Sequence, residues 1–87
     1  MKTKSGFLLR ELAGQWVVVP IGSNMVEFAN ILILSESGAL LWKKISTGAE
    51  EEELVREILD TYDIDEETAR DDVKEFIATV EKHGLLE

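Results

Sequence analysis

Apolar positions along the chain change their period once, near Leu34. Before that point they come in short runs rich in β-branched and aromatic residues, Phe7 to Leu12 and Trp16 to Ile21. Runs of this length and composition, bounded by turn residues, predict strands. Ala13-Gly14-Gln15 separates the two, and Gly14 can take the positive φ that a tight hairpin needs. Pro20 closes the second run, where a missing ladder donor does least harm, and Gly22-Ser23-Asn24 signals another turn. Val26 to Leu34 reads as a third extended segment with a break around Ala29-Asn30. Its end, Ile31-Leu32-Ile33-Leu34, is apolar at every position, whereas a strand with one wet face alternates.

After Leu34 the period moves from two toward 3.6. Ser35 can cap a helix that turns Ala39, Leu40, Leu41, Trp42 and Ile45 mostly inward, and Gly48 breaks it. A second helix runs from about Glu50 to Thr61, with Leu54, Val55, Ile58 and Leu59 on one stripe and four glutamates near its positive amino-terminal pole. Asp65 suits the cap of a third, with Glu66 and Glu67 in its first turn and Gly84 as the residue past its end. Three strands followed by three helices make an α+β, winged-helix-like architecture: a three-stranded antiparallel sheet, then three α-helices. No repeat or linker divides the chain, so residues 1–87 are expected to form one domain.

Charge sharpens this outline. From Met1 to Ile45 five basic residues stand against three acidic ones, and from Ser46 to Glu87 four stand against fifteen. An acidic surface of this kind repels phosphate backbones and anionic lipid, so neither nucleic acid nor membrane is an expected partner. No apolar run approaches the ~20 residues of a spanning helix, and Met1 to Gly6 lacks the apolar core of a signal peptide, so the expected location is cytoplasmic. Without cysteine there is no disulfide, no thiolate metal site and no thiol nucleophile.

The remaining chemistry fails on spacing. Asp60 to Glu67 superficially suggests a calcium loop, but a loop begun at Asp63 has Thr68 where glycine is required and Lys74 where a bidentate glutamate is required. A helix cap with an acidic first turn explains the same residues. His83, the only histidine, has no nominated nucleophile or orienting partner and suits the last turn of a helix. Ser35-Glu36-Ser37-Gly38 lacks the first glycine of a nucleophile elbow, and no phosphate-binding glycine motif occurs. The sequence therefore nominates no catalytic residue, no metal ligand and no cofactor. Trp42 is expected in the core, while Trp16 suits either core or rim.

The all-apolar end of the third strand is what these subtractions leave. Either both its faces are covered within the domain, or one face and one edge await something else. Three helices cover one face of a small sheet readily and hardly both, which favours a partner strand. On the third helix, Ala69, Val73, Phe76 and Val80 share a core stripe at ~100° per residue. Ile77 lies roughly 80° from Ala69, with Arg70 near 100° and Lys74 near 140°, and Asp72, Glu75 and Thr79 occupy the opposite flank. The apolar and basic flank is expected to border the groove beside the third strand, with Ile77 receiving an apolar side chain and the basic pair receiving carboxylates. The alternative is that Arg70 and Lys74 offset neighbouring acids on a wet helix.

Several segments together resemble the PqqD family: Val17-Val18-Val19-Pro20, Phe28, Leu34-Ser35-Glu36-Ser37-Gly38-Ala39-Leu40-Leu41-Trp42, Glu50 to Leu59, Tyr62 to Ala69 and Gly84-Leu85-Leu86. In that family the segment from Leu34 to Trp42 commonly reads L-N-E-T-G-A-x-L-W; Ser35 and Ser37 depart from it conservatively, since serine still caps a helix. The resemblance implies a non-catalytic peptide-recognition element of ribosomally synthesised peptide biosynthesis. It implies that the leader of a precursor peptide is held as an extra strand beside the third strand, against the third helix. It further implies delivery to a modifying enzyme such as a radical S-adenosylmethionine maturase; the pyrroloquinoline quinone pathway is the name-giving case. The candidate peptide-binding residues are Phe28, Ile31, Leu32, Ile33 and Leu34, with Arg70, Val73, Lys74 and Ile77 on the helix. A winged-helix DNA-binding protein is the rival class, disfavoured because Asp65 to Lys82 carries seven acids against three basic residues.

Overall fold

A computed structural model of the chain describes residues 1–22 and 32–87. Three strands, β1 (Phe7–Leu12), β2 (Gln15–Pro20) and β3 (Leu32–Leu34), form an antiparallel sheet in the order β1-β2-β3. Three helices follow: α1 (Glu36–Ile45), α2 (Glu51–Thr61) and α3 (Glu66–Lys82). The α+β architecture matches the order of elements expected from the sequence. Of the third extended segment, only Leu32–Leu34 can be described as strand; Val26 to Ile31, including Phe28 and Ile31 of the candidate set, lies outside the described residues.

The hairpin is tighter than the sequence implied. Leu12 pairs with Gln15, so only Ala13 and Gly14 turn the chain, at φ 52° and 80°. Two positive φ values in succession match the right-handed twist of the flanking strands, and that is the reason two-residue hairpin loops use them. Gln15, read as turn, is the first residue of β2.

Opposed residues in an antiparallel ladder share a face. One row, Leu9, Val18 and Leu32, points at the helices, with Val18 and Leu32 buried, and Trp16 pairs with Leu34 on the same side. The neighbouring row, Arg10, Val17 and Ile33, points away from them, and Ile33 is 61% exposed. The core between sheet and helices comprises Leu41, Trp42 and Ile45 of α1, Leu54, Val55 and Ile58 of α2, and Ala69, Val73, Phe76 and Val80 of α3. The expected core stripe of the third helix is thus the observed one, and Trp42 belongs to the core.

Each helix is punctuated as its residues dictate. Ser35 Oγ accepts from the Gly38 amide at 3.1 Å, and Asp65 Oδ1 accepts from the Thr68 amide at 2.8 Å. At the start of α2 the Glu53 carboxylate accepts from the Glu50 amide at 3.0 Å, half of a capping box. The end of α3 is a Schellman motif: Gly84 takes φ 71° and donates to Glu81 O, while Leu85 donates to Val80 O. Leu85 then turns into the core, and the chain end pairs with the amino terminus through the Thr3 and Leu86 bridge. No described helix is long and apolar enough to cross a membrane.

Candidate functional site

A three-residue strand at the end of a sheet leaves one side of its backbone without a ladder. β3 pairs with β2 on one side, and no described strand pairs with the other. Beside that edge lies a groove of about 280 Å³. Its near wall is Ile33 and Leu34 of β3, with Ser35, Ser37, Gly38 and Leu41 at the start of α1. Its far wall is α3, through Asp72, Glu75, Phe76 and Thr79. Gly38 holds the near wall closed: a Cβ there would sit 3.3 Å from both Leu34 Cβ and Ser35 Oγ, so α1 begins hard against β3.

The floor of the groove is apolar, with Leu41 and Phe76 both buried, and its α3 rim is acidic. A second hollow of about 610 Å³ opens at the hairpin end of the sheet, where Trp16, Leu40, Lys43 and Tyr62 surround the same end of β3. Lys43 Nζ lies 4.7 Å from the centre of the Trp16 ring. A cation over a partly exposed indole is worth about 0.5–1 kcal/mol. Trp16 is therefore a rim residue, half-buried beside Leu34.

The described groove meets the flank of α3 opposite to the expected one. Arg70, Lys74 and Ile77 lie on the side of α3 opposite to Asp72, Glu75 and Thr79, and they do not line the groove. Arg70 is engaged by α2: its Nη1 and Nη2 reach the two carboxylate oxygens of Glu52 at 2.6 and 2.9 Å, and Nε reaches Glu66 at 3.2 Å. The guanidinium holds the Glu52 carboxyl below its ordinary pKa, and the two carboxylates push the Arg70 pKa up. Ile77 is half-buried against the core, and Val73 is wholly buried, so it supports the helix from beneath. Lys74 is exposed. Of the described candidates, Leu32, Ile33 and Leu34 are brought to the open edge, Leu32 facing inward beneath it.

Sequence reasoning missed Asp72, Glu75, Phe76 and Thr79 as a wall, and Ser37, Gly38 and Leu41 opposite them. The signal available was the Glu66 and Arg70 pair at i and i+4, which already offered the arginine a partner on its own helix.

The geometry has counterparts among known proteins. The family model described as coenzyme PQQ synthesis protein D (PqqD) matches residues 15–86. No curated protein matches the chain. Among solved structures, TbiB1 in complex with the TbiA(beta) leader peptide superposes with a TM-score of 0.77 at 22% identity, covering 100% of this chain and 95% of that one. The lasso peptide synthetase B1 complexed with the leader peptide gives 0.74 at 12% identity, covering 97% and 93%. At such identities the likeness is one of fold. The family model reaches from the start of β2 to the residue that bridges back to Thr3, and on that extent the chain belongs to the PqqD family.

Proposed function

We propose that this protein binds the leader segment of a precursor peptide as a fourth strand on β3 and presents it to a modifying enzyme. The observation that carries the reading is the edge of Leu32–Leu34 that no described strand pairs, beside a groove floored by Leu41 and Phe76. A strand added there gains main-chain hydrogen bonds from the edge and seats alternate side chains in the groove, so affinity and specificity have separate sources. Membership of the PqqD family supports it, as does a fold shared with two proteins solved with leader peptides. The chemistry then belongs to the partner, a radical S-adenosylmethionine maturase being the expected type, in the cytoplasm; pyrroloquinoline quinone biosynthesis is the pathway the family name suggests.

Amide shifts on titration with synthetic leader peptides, made from short reading frames beside the gene, test this. Changes should centre on Leu32–Leu34, Phe76 and Thr79. Changes confined to α2 would sink strand addition.

A further inference from the structure

The wall that α3 offers the groove contains two carboxylates and no cation. Asp72 and Glu75 are both exposed, and among the described residues neither forms an ion pair. Helix-pole electrostatics does not account for them. They are the seventh and tenth residues of α3, whereas the pull of the amino-terminal pole fades within the first turn. Lying i and i+3 on the helix, they repel one another, so their placement costs the free protein something. The basic residues nearest in sequence give no relief: Arg70 is committed to Glu52 and Glu66, and Lys74 lies on the other flank.

Directly beside this acidic rim the floor becomes apolar at Phe76 and Leu41. Inward side chains of an added strand recur every second residue, about 6.8 Å apart. Along α3, Asp72 and Phe76 are separated by a rise of about 6 Å. An inward pair from a guest that runs along α3 would thus span the step from carboxylates to apolar floor.

Resting on the strand-addition reading above, we propose that the groove selects guests with a lysine or arginine two positions from a large apolar side chain. The apolar group seats on Phe76 and Leu41, and the cation reaches Asp72 and Glu75. The Leu32–Leu34 edge of a second copy brings no cation to the site. Its β1 edge carries Arg10 between Leu8 and Leu12, so self-association through β1, read by sedimentation of the free chain against D72K/E75K, is an outcome that would overturn the choice of a foreign guest. A polyanion is repelled by the same rim.

The test is selection from a display library of random peptides about ten residues long, run on the immobilised full chain and on the charge-reversed variant D72K/E75K. Wild type should enrich lysine and arginine two positions from leucine, isoleucine or phenylalanine, and the variant should enrich aspartate and glutamate there. Selected basic peptides should bind on the order of tenfold more weakly to D72N/E75Q, with a flatter salt dependence. That near-isosteric pair keeps the test valid if the lysines disturb the helix, which circular dichroism reports. Selected peptides that shift the Leu32–Leu34 amides yet show no basic preference, or a preference unmoved by charge reversal, overturn the proposal alone. Selection that yields no binder, or binders leaving those amides unmoved, overturns the strand-addition reading and the proposal with it.

Discussion

Arg70 and Glu52, eighteen residues apart, form a forked ion pair that ties α3 to α2, with both nitrogen-to-oxygen distances under 3 Å. Parallel N–H to oxygen bonds of this kind fix orientation as well as attraction. Because the pair faces away from the β3 groove, it is expected to serve the fold and not the guest. Arg70→Glu should lower the urea midpoint, and the swap R70E/E52R should restore only part of it, because residue 70 then repels Glu66 and a cation stands at the amino-terminal pole of α2. Leader affinity should stay within about twofold in both, the scale on which exposed pairs act. A large affinity loss in Arg70→Glu that the swap does not repair would return Arg70 to the binding surface.

Two carboxyls make the fold sensitive to acid. Thr68's amide holds Asp65 below its usual 3.8, and Arg70 holds Glu52 below its usual 4.5. A folded-state pKa beneath the unfolded one means that the unfolded chain takes up protons first as the pH falls. Their contribution is therefore complete above the unfolded values and is lost as pH drops through the folded ones. The stability difference between wild type and D65N/E52Q should be constant from neutral pH to about pH 5 and shrink below about pH 4. Urea midpoints across that range measure it, and a difference independent of pH would contradict the assignment.

Ala13 occupies left-handed backbone at φ 52°, a conformation an L-residue with a Cβ resists and asparagine tolerates. Ala13→Asn converts the loop to Asn-Gly, the preferred pair for this turn, and should stabilise the domain by about 0.5–1 kcal/mol. Thermal unfolding checks the gain. Peptide affinity should not change.

Phe76 faces both the core and the groove, whereas Ile58 of α2 faces only the core. Truncating either to alanine should cost about 3 kcal/mol of stability, within the usual range for large buried side chains. Only Phe76→Ala should also weaken leader binding, measured by calorimetry below both unfolding transitions. Equal affinity losses would show that binding merely follows stability.

Local rules made much of this fold legible. Ser35 and Asp65 cap the helices they were expected to cap, Gly84 terminates α3, and the stripe through Ala69, Val73, Phe76 and Val80 is buried. Each of those depends on residues within a turn or two of one another. The side of α3 that meets β3 does not. A helical projection is symmetric about its core stripe, so both flanks were open to the groove until α2 and Glu52 claimed one of them. Four successive apolar residues cannot all face one small core, and of the described part of that run Leu32 is buried while Ile33 is left exposed. What lies across from β3 is a matter of tertiary packing.

The two indoles sit in different surroundings, which makes the protein its own optical instrument. Trp42 is sealed in the core at 4% exposure, while Trp16 shares a rung with Leu34 and opens on the hollow beneath Lys43. An aqueous quencher reaches Trp16 and leaves Trp42 bright until the domain unfolds. A strand arriving on β3 alters the surroundings of Leu34, and hence the emission of Trp16, while Trp42 stays constant. Occupancy of the edge and integrity of the fold can then be read from one unlabelled sample, each through its own tryptophan.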